Sequence, residues 1–148
     1  MGQTRNRINT VVNDRLYQRG QILSWKRADK LALFEELNIG IVVNFWPKLD
    51  PDMSDMPCWY WYLPSGSDDM VSTRVSKMAR LLASLLTHGD YSALILCEAG
   101  KTRSVFFAGL VVHYMQNIAG TKVLRVLDNT IPGNRMKPYM LEYFRNLT

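Results

Sequence analysis

The sequence predicts an α/β domain, with a central, mostly parallel sheet of four to five strands and helices on both faces. Three observations predict it. Runs at residues 39–46, 58–63 and 92–96 are short and rich in β-branched, aromatic or aliphatic residues, as strands are. Stretches with apolar residues at helical spacing lie between and after them, from about 25, 70 and 104 onward. Strands alternating with helices within 148 residues make one layered domain, with residues 1–14 as an extended lead-in.

Each element follows from its local pattern. The lead-in is polar and basic, with Arg5 and Arg7. Residues 15–20 (R-L-Y-Q-R-G) alternate weakly and stop at Gly20, as a short edge strand would. Ser24 is placed to cap a helix starting near Trp25, with Ala28, Leu31, Phe34 and Leu37 on its apolar side and its end around Asn38 and Gly40. Residues 39–46 (I-G-I-V-V-N-F-W) form a buried strand closed by Pro47. The 47–57 stretch holds three prolines and three aspartates, so it reads as a loop in which Asp50, Asp52 and Asp55 are solvated.

Strand 58–63 (C-W-Y-W-Y-L) puts Cys58, Tyr60 and Tyr62 on one face and Trp59, Trp61 and Leu63 on the other. A turn-rich loop at 64–69 (P-S-G-S-D-D) precedes a helix over 70–88, whose stripe is Val71, Val75, Met78, Leu82, Leu85 and Leu86. After the 92–96 strand and a short loop, a largely apolar helix covers 104–118 and is ended by Gly120. A shorter helix spans 121–129, and I-P-G-N at 131–134 is a turn. Residues 135–147 close the chain with Met136, Met140, Leu141, Phe144 and Leu147 on one side.

Composition narrows the class. Apolar residues make up 47% and charged residues 21%, as in an ordinary globular domain. A net charge of +5 favours an anionic substrate or partner. Two cysteines do not make a disulfide framework, and a reactive thiol fits a reducing compartment. Neither a signal-peptide pattern nor a membrane-length apolar run is present, so the expected location is the cytoplasm. His88 and His113 lack metal-ligand spacing, so neither metal nor cofactor is expected. Cys58 is expected in the core, with a regulatory disulfide to Cys97 as the alternative if their strands adjoin.

The stretch with chemistry in it runs from the 92–96 strand into the helix that follows. Cys97 stands at one rim of the loop and Arg103 at the other, with Gly100 between them and Ser104 next in line. A strand, a glycine-bearing loop and a helix N-terminus together make an anion cradle of backbone N–H groups and helix dipole. A cysteine there supplies a thiolate nucleophile, and an arginine can grip two oxygens of a tetrahedral anion. Ser104 is placed to donate a hydrogen bond to the sulfur. Gly100-Lys101-Thr102 also spells the end of a nucleotide-binding loop, but that motif needs a glycine where Ile95 stands.

The segment C-E-A-G-K-T-R-S resembles the signature loop of the cysteine-dependent protein tyrosine and dual-specificity phosphatases. R-L-Y-Q-R-G, L-N-I-G-I-V-V-N and the terminal P-G-N with its amphipathic helix extend the likeness to the small, atypical dual-specificity type. The resemblance implies a phosphotyrosine-phosphatase-like fold and a two-step, metal-independent hydrolysis through a cysteinyl-phosphate. It assigns Cys97 as nucleophile, Arg103 as phosphate clamp and Ser104 as helper of the leaving thiolate. Glu98, Ala99, Gly100, Lys101, Thr102 and Arg103 would hold the phosphoryl oxygens. The general acid would be an aspartate of the 64–69 loop, Asp68 in preference to Asp69, the plainer role of both being to cap the next helix.

Phosphorylated protein is the implied partner, carrying phosphotyrosine and also phosphoserine or phosphothreonine. RNA 5′ ends and phosphoinositides are alternative substrates, to which Lys101 would add charge, and a phosphate-binding pseudo-phosphatase module is the non-enzyme alternative. One departure matters. Leu96 stands where the family usually has a histidine bracing the loop, which predicts a less rigid loop and slower chemistry.

Overall fold

A computed structural model describes residues 8–148. Five strands form one sheet: β1 (Asn9–Val12), β2 (Leu16–Gly20), β3 (Ile39–Asn44), β4 (Trp59–Tyr62) and β5 (Ser92–Cys97). Their order is β1-β2-β5-β3-β4, with β1 antiparallel to β2 and every other pairing parallel. The α-helices among the described residues are α1 (Arg27–Glu36), α2 (Thr73–His88), α3 (Arg103–Gln116), α4 (Gly120–Thr130) and α5 (Pro138–Arg145). The expected mostly parallel α/β architecture is present.

The pleat of β5 divides the interior in two. Ala93, Ile95 and Cys97 face a large apolar cluster with Phe106, Phe107, Leu82 and Phe144. Leu94 and Leu96 face a smaller one with Ile22, Leu33, Phe34 and Val42 beneath α1. Adjacent residues therefore serve opposite faces, which is the strand period of two. Phe106, Phe107 and Phe144 are fully buried, each contributing roughly 1.5–3 kcal/mol by leaving water. Helix α3 is buried over residues 104–113, on all sides, because the sheet covers it beneath and α2 and α4 flank it.

Several expectations are corrected. Residues 1–7 of the lead-in lie outside the described residues, but its remainder supplies β1, with Asn9 paired to Gln18. The 15–20 strand is consequently interior, lying between β1 and β5, rather than at an edge. Ser24 does not cap α1, which starts later, with Lys26 at the N-cap position. The helix buries Lys30, Leu33 and Phe34 instead of a stripe through Ala28 and Leu31.

Lys30 explains that rotation. Its ammonium is 1% exposed and lies 2.8 Å from a carboxylate oxygen of Asp50 and 2.8 Å from one of Asp52. Desolvation opposes its charge, but hydrogen bonds and the charges of Asp50 and Asp52 outweigh it, and the net shift of its pKa is upward. Asp50 is thus buried rather than solvated. Asp55 is exposed, paired with Arg27 at 2.6 Å.

Other helix ends differ in detail. Ser72 caps α2 by accepting from the Val75 N–H at 3.2 Å, so neither Asp68 nor Asp69 has that role. Met70 is buried and Val71 exposed, before the helix begins. Asn117, at φ 52°, ends α3 in the left-handed conformation, and Gly120 begins α4. On α5 the buried residues are Met140 and Phe144, with Tyr143, rather than Leu141, packed against the core. Cys58 and Cys97 cannot meet, because β3 separates β4 from β5 and the two residues sit at opposite strand ends.

The crossovers position the site. The β2–β3 connection carries α1 over one face, while the β4–β5 connection carries α2 over the other. Strands β2, β3, β4 and β5 all end at the same edge of the sheet, so the loops following them meet above β5. Open parallel sheets bind ligands at such a point.

Candidate active site

Cys97 is the last residue of β5 and is 2% exposed. Its Sγ lies 3.1 Å from the Oγ of Ser104, which is fully buried in the first turn of α3. The loop between them walls a cavity of about 120 Å³ lined by Ser67, Cys97, Glu98, Ala99, Lys101, Thr102 and Arg103. The structure therefore gathers nearly all the residues expected to hold an anion around one thiol. Thr102 occupies the N-cap of α3 with no side-chain cap, leaving the positive end of a fourteen-residue helix directed at this region.

Arg103 is fixed from the opposite side. Its Nη1 donates to the carbonyl oxygens of Ser65 at 2.9 Å and Phe45 at 3.2 Å. Phe45 follows β3 and Ser65 belongs to the 64–69 loop, so the arginine ties two loops to the cavity. Arg74 of α2 donates to the Ser65 hydroxyl at 2.9 Å and steadies the same anchor. Holding the guanidinium stem in advance lowers the entropy cost of gripping an anion.

Gly100 sits at φ 71°, and a Cβ there would collide with the backbone of Arg19 and Gly20. The loop can press against the end of β2 only because residue 100 has no side chain. Gly20 is the other half of this contact, since its own Cβ would come within 3.0 Å of Glu98 and Ala99 backbone. The Gln21 N–H donates to the Glu98 carbonyl at 3.1 Å across the same seam. Beyond the loop, the Arg135 N–H donates to the Lys101 carbonyl at 2.7 Å, and Thr102 Oγ1 donates to the Arg135 carbonyl at 2.9 Å. The 131–134 turn thus supports the far side. The Lys101 side chain is exposed, with Nζ over Gly133.

Gln18 was not singled out by the sequence. It is fully buried on β2, where its Nε2 donates to the Gly100 carbonyl at 2.8 Å and to Ser104 Oγ at 2.6 Å. Asn9 Nδ2 of β1 donates to its Oε1 at 2.9 Å. A glutamine at an apparent edge position gives no sequence signal; only β1 on one side and β5 on the other make it internal. Leu96, 4% exposed, faces the α1 cluster and fills apolar space there. The loop is therefore braced by Gln18 from β2, on the side opposite to Leu96.

The acid candidates sit differently. Ser67 is the member of the 64–69 loop that lines the cavity, while Asp68 and Asp69 are exposed beside it. Asp68 Oδ1 accepts from the Tyr139 hydroxyl of α5 at 3.1 Å. The Tyr139 phenol is pushed above its ordinary pKa by desolvation first, then by its bond to Asp68 and the charges of Asp68 and Asp69. Cys58 lies against apolar neighbours, and burial pushes its pKa up to about 11.

No protein-family model and no curated protein matches the chain. Solved structures do. PTPMT1 in complex with PI(5)P aligns with a TM-score of 0.79 at 11% identity, over 94% of this chain and 92% of that one. The PTP-2 phosphatase of Cydia pomonella aligns with a TM-score of 0.72 at 14% identity, over 93% of this chain and 88% of that one. TpbA of P. aeruginosa in complex with pTyr aligns with a TM-score of 0.61 at 18% identity, over 90% and 88%. Likeness over nine-tenths of the chain at such low identity is likeness of fold: the chain folds as these phosphatases do.

Proposed function

We propose that this protein hydrolyses phosphate monoesters through a cysteinyl-phosphate on Cys97, acting on phosphorylated protein. One observation carries the reading. A cysteine thiol, with a serine hydroxyl 3.1 Å behind it, floors a cavity bounded by Arg103 and the N-terminus of α3.

The steps follow from these positions. The Cys97 thiolate attacks phosphorus in line with the ester oxygen while Arg103 and the amides of the 98–103 loop hold the three non-bridging oxygens. The P–O ester bond breaks as the S–P bond forms, and Asp68 gives its proton to the departing oxygen. Water then attacks phosphorus, Asp68 takes a proton from it, and the S–P bond breaks to release phosphate and the thiolate. Ser104 stabilises that thiolate by donating to it. Asp68, next in sequence to the cavity-lining Ser67, is the acid this reading assigns, with Asp69 as its alternate.

The small, open cavity suits a phosphoryl group on an exposed side chain better than a deeply buried head group. A phosphoinositide is the second reading. A neighbouring groove of about 390 Å³, lined by Arg19, Gly20, Gln21 and the loop from Glu98 to Lys101, has room for further anionic groups. PTPMT1, similar in fold, is seen with PI(5)P.

The test is turnover of an aryl phosphate by the wild-type protein and by Cys97→Ser, each with and without a chelator. Turnover indifferent to chelator and lost by at least about 10⁴-fold in Cys97→Ser is expected. Activity that survives Cys97→Ser overturns the mechanism. Absence of turnover with tight binding of phosphopeptide points to a phosphate-binding module. Phosphotyrosine peptide, phosphoinositide vesicle and 5′-triphosphorylated RNA then rank the substrate classes.

A further inference from the structure

We propose that Gln18 is a positioning residue that fixes the Ser104 hydroxyl as a hydrogen-bond donor to the Cys97 sulfur, and thereby speeds the second chemical step. This rests on the cysteinyl-phosphate reading and adds to it a residue outside the phosphate loop.

A backbone carbonyl only accepts, so the Gln18 atom 2.8 Å from the Gly100 oxygen must be the amide nitrogen. Asn9 fits that orientation, its amide nitrogen donating to Gln18 Oε1 at 2.9 Å. The amide's second proton goes to Ser104 Oγ at 2.6 Å. Ser104 has one hydroxyl proton. With Oγ accepting from Gln18, that proton is turned toward the sulfur 3.1 Å away, and a thiolate can only accept it. A fixed relay therefore runs from Asn9 through Gln18 and Ser104 to Cys97. Gln18 and Ser104 are fully buried, so water does not compete for their groups.

The two chemical steps use this relay unequally. When the thiolate attacks phosphorus, its negative charge is consumed and a donor at sulfur gives no advantage. When the S–P bond breaks, charge returns to sulfur and the Ser104 proton stabilises it. Loss of Gln18 removes the bond that orients the Ser104 hydroxyl and leaves the buried Gly100 carbonyl without its side-chain donor. Breakdown of the phosphoenzyme slows while its formation does not.

The experiment is pre-steady-state turnover of an aryl phosphate by wild type, Gln18→Leu, Ser104→Ala and the double variant, with thermal melts alongside. In Gln18→Leu, kcat and KM are expected to fall together by about tenfold, leaving kcat/KM within about twofold and enlarging the burst. The double variant is expected to match Ser104→Ala, because both substitutions remove one interaction. Equal loss in kcat and kcat/KM, or multiplicative effects in the double variant, overturns the proposal and leaves Gln18 a structural brace. Should Gln18→Leu melt below the assay temperature, Asn9→Leu carries the same readouts, with a smaller fall of about threefold expected. A wild-type protein with neither burst nor turnover sinks the phosphatase reading itself, a different result from a wild-type burst that these variants leave unchanged.

Discussion

Two loops border the cavity, and they are held in contrasting ways. The 98–102 loop is tied on one side by Gln18 and Gln21 and on the other by Arg135, with hydrogen bonds of 2.7–3.1 Å at each tie. The 64–69 loop is anchored at Ser65, but toward its far end the Asp68 side chain makes one exposed hydrogen bond among the described residues, to Tyr139. In the proposed mechanism the nucleophile Cys97 and the anion clamp Arg103 are thus set before any substrate arrives, whereas the proposed acid Asp68 rests on an interaction that solvent contests. Electrostatic stabilisation depends on groups fixed in advance, while a proton donor can be brought up as a loop closes. The molecule spends its rigidity on the first requirement.

The largest expected effect comes from the rigid side. Arg103→Lys keeps the charge but loses the planar fork and its two carbonyl anchors, so kcat/KM for an aryl phosphate should fall by about 10³-fold. A loss below tenfold would mean that the helix N-terminus, and not this guanidinium, carries the anion. Next is Gly100→Ala, which puts a methyl into the backbone of Arg19 and Gly20 at a left-handed φ. It should cost on the order of 3 kcal/mol, seen as a melting temperature lower by about 10 °C. An unchanged melt would show that the seam between β2 and the loop is loose, and the contrast between the loops would lose its basis.

The same contrast separates what sequence discloses from what it hides. The Cys97–Arg103 spacing, Gly100 and Ser104 lie within eight residues of one another, so local order alone reveals them. The sheet-forming runs are legible for a similar reason: a fully buried strand such as β5 must be apolar on both faces. The support for the loop is not local. Gln18 touches Gly100 and Ser104 across 82 and 86 positions of sequence, and its strand becomes interior only through β1. β1 is only four residues long, Asn9 to Val12, too short to give a strand signal by itself. Lys30 is a further case, since a lysine among apolar neighbours reads as solvent-facing until Asp50 and Asp52 arrive from a loop twenty residues on. Buried polar groups are specified by partners distant in sequence.

Predictions on the loosely held side are smaller. Asp68→Asn should lower kcat by about 10²-fold on a phosphotyrosine peptide, whose leaving oxygen needs a proton. The loss should shrink toward unity with an aryl phosphate whose leaving group departs as a stable anion. An undiminished loss across leaving groups would reassign Asp68 from proton transfer to holding its loop, and Asp69→Asn would then be the variant with leaving-group dependence.

The smallest effect is expected at Tyr139. Because Ser67 lines the cavity while Asp68 is turned to Tyr139, the phenol acts as a clamp holding the carboxylate outside. An exposed hydrogen bond of this kind contributes roughly 0.5–1 kcal/mol, so Tyr139→Phe should raise kcat by about two- to fivefold. A fall of similar size would show that the clamp positions the acid for reaction. Since the phenol's pKa lies above its ordinary value of 10.0, the neutral donor persists through the whole physiological range. Above the phenol's own, raised pKa, ionisation removes the donor and sets a phenolate against two carboxylates. The clamp is accordingly present at neutral pH and lost as pH rises through the phenol's pKa. Phosphotyrosine-peptide turnover by wild type and Tyr139→Phe should therefore differ at pH 7 and converge as pH rises through the phenol's pKa, and a difference that persists beyond it would place the effect of Tyr139 in its packing and not in its hydroxyl.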